Sequence, residues 1–90
     1  MPVSGENIKI KNTIFGFEKR INEMHLEFEK YHAGVEKVMP DWEGLERDLI
    51  VFSRRKVVDL ALSKQLDRVM YKFQNRKKIW LKWVEEFHKT

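Results

Sequence analysis

Ninety residues with no cysteine make one domain at most and exclude a disulfide framework, a thiolate metal site and a thiol nucleophile. Charged side chains are 36% of the chain and the formal net charge is +4, ordinary for exposed faces of long helices and small beside dedicated nucleic-acid binders. A chain this short buries only roughly 60–65% of its unfolded surface, so association with a partner would add stability.

The charge is unevenly placed. Residues 1–38 hold six basic and six acidic side chains, which leaves twelve and eight in residues 39–90. Between Arg54 and Lys82 ten basic residues stand against two acids, Asp59 and Asp67, so attraction for an anionic partner is expected in that stretch. The opening MPVSGENIKI has no apolar signal-like region, and no apolar run approaches the roughly 20 residues of a membrane span. A soluble, cytoplasmic protein without a transmembrane segment is expected.

Residues 1–12 read as a flexible arm, because Ser4, Gly5 and Asn7 are turn and cap residues and Ile8-Lys9-Ile10-Lys11 alternates like a short strand with no partner. From residue 13 the pattern is helical. Ile14, Phe17, Ile21, Met24, Phe28, Tyr31, Val35 and Val38 recur at three-then-four spacing, one narrow apolar seam over more than three heptads, and Ile10 extends it backwards. With Asn12 or Thr13 as cap, a first helix is expected over 13–38; Gly16 and Gly34 inside it are soft spots, each costing about 1 kcal/mol relative to Ala.

Pro40 removes a backbone donor and disfavours helical geometry at Met39, which makes 39–42 a turn. Asp41 is a good N-cap, and Glu43 suits the positive end of the next helix. A second helix is expected over 43–88, its stripe reading Leu45, Leu49, Phe52, then Leu62, Leu66, Val69, Phe73, Trp80, Trp83 and Phe87. Ser53-Arg54-Arg55-Lys56 interrupts that stripe on every face, so a kink near 53–56 fits the pattern.

The predicted architecture is all-α, a coiled-coil-like antiparallel helical hairpin with rods of unequal reach. At 1.5 Å per residue the first is about 39 Å long and the second about 70 Å. The overhang beyond about Phe73 carries Ile79, Trp80, Leu81, Trp83, Val84 and Phe87, an apolar patch that soluble monomers rarely expose. Dimerisation into a four-helix bundle would cover it; a foreign protein, or the chain itself if the second helix breaks near Ser53, are the other covers. Ile79, Trp80, Trp83, Val84 and Phe87 are therefore the candidate partner interface, since large aromatics carry most interface energy.

Signals for chemistry are sparse. His25, Glu29 and His32 share one side of the first helix, and Glu29-Lys30-Tyr31-His32 matches the E-x-x-H element of ferritin-like di-iron bundles. The residues expected opposite Glu29, Val51 and Phe52, cannot ligate, so no metal or other cofactor is expected. Chorismate mutase is the all-helical enzyme family of this size to test. Arg55 and Arg76 take seam-side positions, but Arg20 points away from its seam and that family's arginine spacing is absent. With no phosphate loop and no nucleophile–base arrangement, no catalytic residue is assigned.

Lys64, Arg68, Asn75, Lys78 and Lys82, with Tyr71 among them, share the face of the second helix opposite its stripe, a row about 27 Å long. Lys64, Arg68, Lys78 and Lys82 form a candidate anion-binding row for weak, non-specific contact with nucleic acid or an anionic membrane surface. At the turn, Trp42-x-Gly44 resembles the W-x-G signature of the small helical-hairpin proteins exported by type VII secretion systems, as do chain length and the motif's mid-chain position. That resemblance implies a dimeric secreted effector or adaptor with Trp42 packed at the bend; Asn75 stands four residues after Tyr71, where that family's export element carries Asp or Glu. The expected function is a non-enzymatic adaptor, assembly factor or regulatory protein, with a second copy or another protein as its partner.

Overall fold

The computed structural model describes the backbone of residues 3–55 and 57–89, with side chains for 7–55 and 57–86. All of its regular structure is helical: α1 (Val3–His32), α2 (Trp42–Ser53) and α3 (Leu60–Lys89). The order of contacts fixes their directions. Glu18 meets Lys72, His25 meets Trp80 and His32 meets Glu86, rising together along both helices, so α1 and α3 run parallel. Phe17 meets Phe52 and Arg20 meets Asp48, rising in one and falling in the other, so α2 is antiparallel to α1. Two 30-residue helices joined by a 12-residue return give a rod of 57 × 18 × 17 Å.

The seam of α1 packs where its spacing places it, with Ile14, Phe17, Ile21, Phe28 and Tyr31 all buried. Its ends differ from expectation. The helix already includes residues 3–12, read from sequence as an arm, and Thr13 is no cap: its hydroxyl donates back to the Lys9 carbonyl at 2.9 Å. At the other end the helix stops at His32, because Gly34 takes φ +81°, a left-handed conformation that favours glycine. The Val35 and Glu36 amides then turn back to the Lys30 carbonyl at 2.9 and 3.2 Å, closing the helix end. Val35 and Val38, the last two members of the predicted seam, are consequently exposed.

The second rod is two helices. At 100° per residue the core residues Leu45, Leu49 and Phe52 lie about 100° round from Leu62, Leu66, Val69 and Phe73, so one straight helix cannot aim both sets at one core. The chain breaks instead. Beyond Ser53 the Arg54 and Arg55 amides close on Val51 and Phe52 carbonyls, and Asp59 restarts the helix. Its carboxylate accepts from the Leu62 amide at 3.0 Å while its carbonyl accepts from Ser63 at 2.9 Å, an N-cap that satisfies donors otherwise left open. Asp41 caps α2 in the same way, accepting from the Gly44 amide at 3.0 Å.

This break replaces the expected long antiparallel hairpin, because α3 starts again beside the beginning of α1 and the two long rods have equal reach. All three helices then contribute to one core. Trp80 is 0% exposed, its ring stacked on Phe28 at 4.9 Å and edge-on to Phe73 at 5.9 Å. At about 25 cal/mol/Å², burying 150–250 Å² of indole is worth about 4–6 kcal/mol. Trp80→Ala should therefore cost ~3–5 kcal/mol in urea unfolding independently of protein concentration. Asp59→Ala should cost ~1 kcal/mol and Asp59→Asn much less; equal losses would mean that the carboxylate does not act as a cap.

Candidate functional site

The predicted interface residues separate in the structure. Trp80 is enclosed by the chain itself, Trp83 and Val84 are half-buried against the core, and Ile79 is at the margin of exposure. The Phe87 side chain lies outside the described residues. The cover that the unequal rods called for is supplied to Trp80 by α1, since the break at 54–59 slides α3 back alongside it. Trp80 therefore has no surface to offer a second copy.

What surrounds Trp80 is a polar relay that the sequence did not show. Its indole Nε1–H donates to His25 Nδ1 at 3.1 Å, and His25 Nε2 lies 3.1 Å from Glu29 Oε1. With Nδ1 accepting, the ring hydrogen sits on Nε2 and points at Glu29, so the neutral tautomer satisfies the indole, the imidazole and the carboxylate. A doubly protonated ring would set two N–H groups against each other at Trp80. Burial, and then the nearby Arg76 guanidinium on α3, push the His25 pKa below its ordinary 6.5, with Glu29 opposing them. His32 stacks on Trp83 at 4.9 Å and reaches Glu86 at 3.4 Å.

Of the three residues considered for metal binding, His25 and Glu29 pair with each other while His32 turns to Glu86, and among the described residues no three His, Asp or Glu side chains converge on one point. The arginines also disperse. Arg20 pairs with Asp48 at 3.1 Å, Arg55 lies over the Phe52 ring, and Arg76 sits beside His25. They do not form a shared anion pocket.

The feature that stands out is a bare face. Residues facing α2, such as Phe17 and Arg20 on α1 and Lys77 on α3, define one side of the α1–α3 pair. On α1 the exposed apolar residues Ile8 (58%), Phe15 (52%) and Leu26 (57%) lie within about 20° of one another and roughly opposite that side. On α3, Ala61, Arg68 and Ile79 share a strip that also faces away from α2. Between these strips runs a groove. Phe15 and Glu18 line one stretch of it with Gln65, Arg68 and Lys72, and Ile8 and Lys11 line the next with Ala61 and the same Gln65. No α2 residue touches either stretch.

The four predicted anion-binding residues, Lys64, Arg68, Lys78 and Lys82, are all exposed, and none forms an ion pair among the described residues. Arg68 stands in the groove wall, Lys64 and Lys82 about 40° further round α3, and Lys78 beyond them. At the turn, the Trp42 ring lies under the Lys77 ammonium at 5.1 Å. At Gly44 an added Cβ would come to 2.5 Å from the capping Asp41 carboxylate, which would have to shift.

No protein-family model matches the chain, and no curated protein or solved structure is significantly similar to it. The W-x-G resemblance accordingly rests on Trp42 and Gly44, both of which have the local roles just described. No helix among the described residues is long and apolar enough to cross a membrane. Sequence reasoning missed the groove because Ile8, Phe15 and Leu26 are seven and eleven residues apart, too sparse to register as a stripe. Only plotting the residues outside the seam by angle would have aligned them.

The relay makes a pH prediction. Below about pH 6.5 the unfolded chain binds a proton that folded His25 resists, so stability is fully present above that pH and falls as pH drops through the lowered folded value. His25→Gln should flatten this part of the curve, as read from urea midpoints between about pH 7.5 and about pH 5. An unchanged slope would place the proton uptake elsewhere.

Proposed function

We propose that this chain is a non-enzymatic helical adaptor, assembly factor or regulatory subunit that acts through protein–protein association. The observation supporting this is the α1 face that borders the α1–α3 groove, on which Ile8, Phe15 and Leu26 remain in water although the α1 seam from Ile14 to Tyr31 is buried except for the half-buried Met24. Isolated exposed apolar residues are common, but three aligned along about 27 Å of one helix, the first two bordering the groove, form a surface of the kind partners occupy. The interface is thus proposed on the flank of the molecule rather than at the tryptophan end.

A second reading has its own support: Lys64, Arg68, Lys78 and Lys82 are exposed and unpaired, an arrangement suited to weak, salt-sensitive contact with a polyanion. The two readings separate by what Phe15 touches. A photo-crosslinking amino acid placed at Phe15 in cells of the native host should yield discrete protein-sized adducts, while the same probe at exposed Val38 should not. Adducts to nucleic acid alone, or none at Phe15 or Leu26, would remove the adaptor reading.

A further inference from the structure

We infer that the α1–α3 groove receives an amphipathic α-helix of about 18 residues whose apolar stripe is flanked by Asp and Glu, and not a second copy of this chain. This rests on the association reading above and assigns its partner class. The length follows from Ile8 to Leu26, about 27 Å at helical rise. The apolar stripe follows from the exposed Ile8, Phe15 and Leu26, aligned along α1, with Ala61 and Ile79 on the strip of α3 that also faces away from α2.

The flanking charge follows from the state of the charged groups along the groove. Glu18 pairs with Lys72 at 3.6 Å and Glu23 with Lys19 at 3.9 Å, while Glu29 accepts from the neutral His25 at 3.1 Å and Glu86 lies 3.4 Å from His32. Asp59 is committed to the cap of α3. The cations along the same face are not so engaged: Lys11 lies over the Phe15 ring at 5.8 Å, and Lys64, Arg68 and Lys82 form no ion pair among the described residues. A second copy would bring the same unpaired cations and the same engaged acids, setting like charges together. A helix with acidic flanks meets Lys64, Arg68 and Lys82 along α3 and Lys11 near the start of α1 while its apolar stripe covers Ile8, Phe15 and Leu26. Nucleic acid would meet the cations but leave Phe15 and Leu26 in water.

Labelled 18-residue helical peptides titrated into the full chain test this. One carries a Leu stripe flanked by Glu, the other the same stripe flanked by Lys; duplex DNA of similar length is the third probe. The Glu-flanked peptide should bind at least about tenfold more tightly than the Lys-flanked one and weaken with added salt. Phe15→Ser, and separately Lys64→Glu with Arg68→Glu, should each weaken it by at least about tenfold. All three positions are exposed, so helical circular dichroism should be unchanged. Equal binding of the two peptides, insensitivity to Phe15→Ser, or tighter binding of DNA would overturn the inference. Sedimentation of the chain as a dimer that Phe15→Ser dissociates would overturn the acidic occupant yet leave the association reading standing. Failure of every peptide together with a monomeric chain and no crosslink at Phe15 would end both.

Discussion

The stretch between Ser53 and Leu60 controls the placement of every aromatic on α3, because it both rotates the apolar stripe by about 100° and returns the chain to the level of residue 8. A helix that ran through it would aim half its core residues into water. By breaking, the chain spends a few backbone hydrogen bonds and recovers them at two helix ends: Arg54 and Arg55 close α2, and the Asp59 carboxylate and carbonyl open α3. Everything else in the architecture, including the parallel run of α1 and α3 and the depth of Trp80, follows from where that second helix begins.

Much of this is written locally. The three-then-four spacing from Ile14 to Tyr31 identifies the buried face of α1, Pro40 and Asp41 identify the turn and the start of α2, and the later stripe identifies the buried face of α3. What the spacing does not carry is continuity. Val35 and Val38 keep the rhythm of the seam beyond a glycine that leaves the helical region, and Leu62 keeps a rhythm that Phe52 began in a different phase. A count of apolar positions passes over both, whereas the phase angle and the Asp59-x-x-Leu62 cap register the second. The starting point of α1 was hidden for another reason: residues 3–12 alternate in polarity at Ile8 to Lys11, and helical and extended readings of so short a run are hard to separate.

The relay at Trp80 shows why the aromatic end of α3 reads as an interface in sequence and as a core in space. Trp and His are amphipathic, so a dense group of them suits either a partner-facing patch or an interior with a few polar groups to satisfy. Here the indole N–H needs an acceptor when the ring is fully enclosed, and His25 provides one only while neutral. Burial and Arg76 keep it neutral, and Glu29 orients the tautomer from the outer side. The same contact that completes the core therefore ties its stability to a single proton. His32 and Glu86 extend the pairing toward the helix ends, where it is more exposed and where solvent screening leaves such pairs worth little.

Once the aromatic end is closed, the remaining asymmetry lies across the long axis of the rod. One side of the α1–α3 pair has α2 upon it; the other has three aligned apolar side chains and a wall of cations. Core packing gives no reason for Phe15 or Leu26 to be apolar, since neither points toward α2 or into the seam. Surface charge alone gives no reason for the pairing pattern either. Glu18, Glu23, Glu29, Glu86 and Asp59 are each occupied by a neighbour within 4 Å or by a helix cap, while Lys64, Arg68 and Lys82 form no ion pair among the described residues. Folding thus leaves this face with an apolar row along α1 and unpaired cations along α3, and an acidic amphipathic helix, the proposed occupant, would present a complement to both within a single turn.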